Sequence, residues 1–156
     1  MPGFMTLPEA PSYALLRATI PAVCLADAHR QFTFAELHAR TNRLANGLLA
    51  MGARPGDAIA VYARNSIEYM ELFHVAALLG MRLVTLNFWL RTTEMAVLLE
   101  HSDARFLVIG ESAQNEIAAN RALFPKVERV LVIGDPVIGD ALSWAGLAEG
   151  SSDAEP

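Results

Sequence analysis

The sequence predicts an α/β fold in which a parallel β-sheet is flanked by helices. Short apolar runs occur at residues 58–62, 82–87, 106–109 and 129–133, and their starts lie 23 or 24 residues apart. That interval holds a helix and two turns, the spacing of βα units with parallel strands. The runs are apolar throughout rather than alternating, as strands covered on both faces are. The segment between the first two runs opens with the capping residues Asn65-Ser66 and closes with Gly80.

In chain order, residues 1–22 form a leading segment, with a short helix expected at 13–19. Residues 23–26 and 31–34 flank Asp27-Ala28-His29-Arg30 and read as a hairpin. In Thr33-Phe34-Ala35-Glu36 the hydroxyl can accept from the third helical amide while the carboxylate reaches back to the cap amide, so a helix starts there. Leu37, Leu44, Ala45 and Leu48 follow the spacing of one buried face, and Gly52 ends the helix. Arg54-Pro55-Gly56-Asp57 supplies the turn into the first sheet strand.

Asn65-Ser66-Ile67-Glu68 repeats the cap logic for a second helix, whose buried side is expected to include Ile67, Met70, Phe73 and Ala77. Glu68 reads as a cap residue and Glu71 as part of a solvated face. A third helix is expected from Thr92 to His101, with Glu94 favourably placed in its first turn. A fourth spans 112–123. The α/β unit is expected to occupy 23–145, anchored late by Trp144, and the polar residues 146–156 read as a flexible tail or the start of a linker.

Composition narrows the functional classes. Hydrophobic residues make up 53% of the chain and charged ones 19%, which is too apolar for disorder and points to surface meant for a partner. A net charge of -5 without a basic patch argues against nucleic acid. Cys24 is the single cysteine; it is expected to be a buried thiol, and with no secretory pattern at the start a reducing cytoplasm is the expected location. The longest apolar stretch, 78–90, is interrupted by Arg82 and is too short for a transmembrane helix.

Motifs for chemistry are mostly absent. No Gly-x-Gly-x-x-Gly follows a strand, and there is neither a Gly-Lys-Ser/Thr phosphate loop nor a Gly-x-Ser-x-Gly elbow. Lys126, the only lysine, reads as solvated. His29, His38, His74 and His101 lack metal-ligand spacing, so no metal site is expected. His74, inside the second helix, is either a packing histidine or a pocket residue. Phe88 and Trp89 follow a strand end, where ligands of open parallel sheets bind; they either pack under a loop or line a pocket or partner contact. No catalytic residue is assigned.

The ordered landmarks Phe32-Thr33-Phe34-Ala35-Glu36-Leu37 with Thr41-Asn42-Arg43-Leu44-Ala45, Gly56-Asp57, Asn65-Ser66-Ile67-Glu68-Tyr69, and residues 78–87 resemble the N-terminal region of the adenylate-forming, AMP-binding superfamily, in particular acyl-CoA synthetases and fatty-acid–CoA ligases. The resemblance implies the N-terminal subdomain of a parent that activates a carboxylic acid with ATP and magnesium and passes the acyl group to coenzyme A. It also implies that the phosphate loop and the catalytic lysine of that family are not reached by Pro156. Arg91, two residues beyond the position where some relatives contact the coenzyme A phosphate, is either a substitute for that contact or a surface arginine.

The expected function is therefore the N-terminal part of such a ligase, inactive alone and with no cofactor of its own. Its expected partner is the remainder of the parent chain, with self-association through exposed apolar faces. The alternatives are a noncatalytic α/β interaction module and a small-molecule binder using the strand ends near 87–89.

Overall fold

The computed structural model describes residues 22–156, so the short helix expected at 13–19 lies outside the described residues. Strands β1 (Val23–Ala26) and β2 (Gln31–Thr33) pair antiparallel. Asp27 Oδ1 closes their turn by accepting from the amides of His29 and Arg30 at 2.8 and 2.7 Å. Cys24 is only half-buried, with its Sγ 3.5 Å from the Phe32 carbonyl. Helix α1 (Phe34–Ala50) begins at the predicted capping box: Thr33 Oγ1 accepts from the Glu36 amide at 3.2 Å, and the Glu36 carboxylate accepts from the Thr33 amide at 2.8 Å. Gly52 ends it at φ 89°, a left-handed conformation that a side chain would strain.

Strands β3 (Ala58–Tyr62), β4 (Arg82–Thr85), β5 (Ala104–Gly110), β6 (Arg129–Ile133) and β7 (Leu142–Ser143) form one sheet, ordered β4-β3-β5-β6-β7 with every pair parallel. The connecting helices are α2 (Ile67–Leu78), α3 (Thr92–Ser102) and α4 (Gln114–Ala119), and α5 (Trp144–Gly150) follows β7. The fourth helix is shorter than the expected 112–123 because Asn120, at φ -114°, leaves helical geometry and its side chain donates to the Glu116 carbonyl.

Side chains alternate across the sheet with period two. Ile59, Val61, Phe106, Val108 and Leu131 pack under α1, α2 and α5, whereas Ala58, Ala60, Leu107, Ile109 and Val132 pack under α3 and α4.

The buried stripe of α2 differs from the sequence expectation. It comprises Ile67, Glu71, Leu72, Val75 and Ala76, while Met70 and Phe73 are each 43% exposed. This helix is apolar nearly all round, so spacing alone does not select a face; a polar anchor does. Glu71 is fully buried rather than solvated. Arg40 of α1 reaches it with Nε 2.5 Å from Oε1 and Nη2 3.3 Å from Oε2, and Trp144 Nε1 donates to Oε2 at 3.0 Å. A buried carboxylate is tolerable only with such compensation.

The expectation of a flexible tail at 146–156 is also corrected. Helix α5 packs directly on α1, so closely that a Cβ added to Gly47 would lie 2.4 Å from Leu147 Cδ1. Beyond it, Asn42 Nδ2 donates to the Asp153 carbonyl at 3.0 Å, and Asn46 Nδ2 donates to the carbonyls of Ser152 and Ala154 at 2.9 and 2.8 Å. Arg43 pairs with the Asp153 carboxylate at 3.1 Å. Polar residues of α1 thus supply the partners that a polar tail needs.

His74 lies half-buried on α2. Burial pushes its imidazole pKa below the ordinary value, opposed in part by the charge of Glu71. The unfolded chain therefore binds a proton more readily than the folded one as pH falls through about 6.5.

Arg40→Met, which strands the Glu71 charge, is expected to cost about 3 kcal/mol, and Trp144→Phe, which removes one donor but keeps most of the packing, about 1–3 kcal/mol. Urea titrations of the purified chain measure both. Stability is expected to decline from pH 7 toward the lowered pKa of His74, and His74→Gln to flatten that decline; identical profiles for wild type and variant would show that His74 does not titrate differently on folding.

Candidate functional site

Open parallel sheets place ligand crevices beyond the carboxyl ends of strands, where successive connections leave in opposite directions. Here β3 connects through α2 to β4 on one side, and β5 connects through α4 to β6 on the other. The switch point lies between β3 and β5. A cleft of about 500 Å³ opens there, walled by residues 62–66 after β3, Phe88 and Trp89 after β4, residues 110–113 with Glu116 after β5, and Ile133 at the end of β6.

Each wall is held by local chemistry. Ser66 caps α2 by accepting from the Tyr69 amide at 3.2 Å, which fixes the 62–66 turn. Gln114, buried at the start of α4, donates to the Asp135 carbonyl at 2.9 Å and accepts from the Val137 amide at 2.7 Å, tying down the segment after β6. Thr92 at the start of α3 donates its hydroxyl to Glu116 of α4.

The aromatic wall has the most bonds. Asn87 Oδ1 accepts from the Trp89 amide at 3.0 Å, and the Leu90 amide donates to the Asn87 carbonyl at 3.0 Å. From the end of β3, the Tyr62 hydroxyl lies 3.0 Å from the Phe88 carbonyl and 2.9 Å from that of Leu90, sharing its proton between them. Burial, with the charge of Glu116, pushes the Tyr62 phenol pKa up, so it remains a donor. The Phe88 and Trp89 ring centroids are 4.7 Å apart, and the Arg64 guanidinium lies 5.2 Å from the centre of the Phe88 ring, a cation–π geometry. Trp89 is 75% exposed.

Phe88 and Trp89, singled out in the sequence, are thus brought into one cleft. His74 and Arg91 do not line it: His74 sits on α2, and Arg91 precedes α3, its backbone amide donating to the Glu94 carboxylate at 2.8 Å. Tyr62, Arg64 and Glu111 were not anticipated. Only the position of Tyr62, a lone polar tip ending an apolar strand, carried a local signal.

The charges lining the cleft are one guanidinium, Arg64, and two carboxylates, Glu111 and Glu116. That balance does not fit the triphosphate of ATP. Lys126 lies at the opposite, amino edge of the sheet, where it pairs with Glu100 and Asp103 at 2.7 and 2.6 Å. Arg105 joins Asp57 and Glu128 there at 2.5 and 2.9 Å. Among the described residues no three His, Cys, Asp or Glu side chains are grouped to hold a metal ion, and no helix is long and apolar enough to cross a membrane.

Comparison with known proteins agrees with this architecture. A 3-oxocholest-4-en-26-oate–CoA ligase of Rhodococcus rhodochrous is 29% identical over 125 residues, covering 80% of this chain and 22% of that protein. A 2-succinylbenzoate–CoA ligase of Bacillus subtilis is 35% identical over 112 residues, covering 70% of this chain and 23% of its own length. The chain therefore spans about a fifth of the length of these curated relatives. Among solved structures, an anthranilate CoA ligase in complex with anthranoyl-AMP superposes with a TM-score of 0.83 at 23% identity, covering 96% of this chain and 30% of that one, a likeness of fold. A putative long-chain-fatty-acid CoA ligase from Rhodopseudomonas palustris superposes with a TM-score of 0.72 at 29% identity, covering 81% of this chain and 32% of that one. The sequence pattern of AMP-binding enzymes matches residues 15–155, and the chain belongs to that family, corresponding to the N-terminal region of its acyl-CoA ligases.

Proposed function

We propose that this chain is the N-terminal segment of a cytoplasmic acyl-CoA synthetase whose whole activates a carboxylic acid with ATP and magnesium and transfers the acyl group to coenzyme A. The segment supplies scaffold and one wall of a ligand site, and does not catalyse alone. The observation that carries this reading is the pairing of a matched fold with a cleft whose charges do not suit a triphosphate. The relatives named as CoA ligases support the choice of acceptor. At the rim of the cleft the exposed Trp89 ring is a surface for the adenine of coenzyme A, and Arg91, exposed beyond the same loop and outside the cleft, is the residue nearest in sequence for its phosphate.

Incubated with ATP, magnesium and a panel of fatty and aromatic acids, the pure chain is expected to release no pyrophosphate above a protein-free blank. Release that depends on the added acid overturns the noncatalytic reading.

A second reading, a noncatalytic interaction module, is favoured by apolar residues left open on the helices: Met70 and Phe73 on α2, Val97 and Leu98 on α3. Under either reading the chain is expected to self-associate through these faces. Sedimentation equilibrium is expected to give a mass that rises with concentration, whereas a constant monomer mass at the highest loading counts against association.

A further inference from the structure

The loop that presents Phe88 and Trp89 to the cleft is held by its own turn, by Leu90 packed on the core, and by hydrogen bonds from one side chain. Asn87 closes the turn through its side chain and its carbonyl. Tyr62 supplies the tertiary fastening: its hydroxyl is the only side-chain donor, among the described residues, to the carbonyls of Phe88 and Leu90.

Its location makes it suited to this. Tyr62 ends β3, which is hydrogen-bonded on both sides by β4 and β5, so its backbone is held by the sheet. The loop it holds has no strand pairing: Leu90 packs on the core, but Phe88 and Trp89 are exposed, their rings in contact and the Phe88 ring beside Arg64. A ring that must receive a ligand flat binds more tightly when it is already in place, because a loop that samples other positions lowers the apparent affinity by the fraction of time it is misplaced.

We infer that Tyr62 is a positioning residue: its hydroxyl holds the 87–90 loop so that the Trp89 ring is pre-set for the flat base of the ligand. The inference rests on the reading that coenzyme A meets Trp89. It predicts that removing one oxygen atom, without removing the ring that packs beside it, weakens ligand binding while leaving the fold intact.

Trp89 is its own reporter, since the other tryptophan, Trp144, is fully buried. Coenzyme A is titrated into the wild-type chain while tryptophan emission is followed, with Trp89→Phe as the blank. Tyr62→Phe is expected to keep the thermal midpoint close to wild type, to shorten the anisotropy decay of Trp89, and to weaken coenzyme A by about five-fold or more. Asn87→Ala, which opens the same loop from its other end, is expected to act in the same direction and replaces Tyr62→Phe if that variant does not fold.

The outcomes separate the two claims. Saturable quenching of wild type, lost in Trp89→Phe and weakened in Tyr62→Phe, supports both. Equal affinity and equal anisotropy in wild type and Tyr62→Phe overturn the positioning role and leave the cleft reading standing. No Trp89-dependent response in wild type overturns the cleft reading and the inference that depends on it.

Discussion

The buried charge of Glu71 is the constraint around which this chain is arranged. A carboxylate taken fully out of water needs an opposite charge and further donors in fixed positions. Arg40 and Trp144 provide them, from helices that precede and follow most of the sheet. Satisfying one oxygen pair therefore sets the rotation of α2, the approach of α1 to α2 and the seating of α5. The apolar contacts beneath add most of the energy, but they are non-directional and would tolerate α2 turned by some tens of degrees. The ionic contact would not. Specifying one arrangement among several of similar apolar burial is a role that buried polar groups can fill.

The sequence was most legible where the physics is local. The Thr33–Glu36 box, the Ser66 cap and the left-handed Gly52 each depend on residues within one turn, and each is found where it was expected. Strands were legible because doubly covered strands must be apolar. The errors are non-local. Glu71 finds Arg40 at a separation of 31 residues and Trp144 at 73, so no window around it could distinguish a buried carboxylate from a solvated one. The polar tail has the same cause: Ser152, Asp153 and Ala154 meet Asn42, Arg43 and Asn46, more than 100 residues away. At the candidate cleft, Phe88 and Trp89 can be singled out from sequence because they follow a strand, whereas Arg64 and Glu111 join them only through the strand order.

The two ends of the sheet have different characters. At the amino edge Arg105 and Lys126 are each clasped between two carboxylates, and the guanidinium of Arg82 donates to the Gly56 carbonyl at 2.9 Å. These pairs are partly exposed, so each adds little stability, but together they hold the strand starts in register and leave the cations committed. The carboxyl edge holds rings, one guanidinium and two carboxylates around a cleft. The chain's lysine and the doubly paired Arg105 thus lie at the end away from the candidate site.

The fates of the two tryptophans follow from what each indole N–H can reach. Trp144 finds a carboxylate inside the core, so its ring can be fully buried without an unsatisfied donor. Trp89 has no such partner among the described residues and stays 75% exposed, at a loop whose backbone, by contrast, is bonded at Phe88, Trp89 and Leu90. Exposure of a large ring ordinarily goes with a mobile segment, because apolar area that gains nothing from one position has no reason to keep it. Here the backbone beneath the ring is fixed while the ring itself remains open. Within the described chain that ordering buries little of Trp89, so its benefit falls on whatever occupies the cleft.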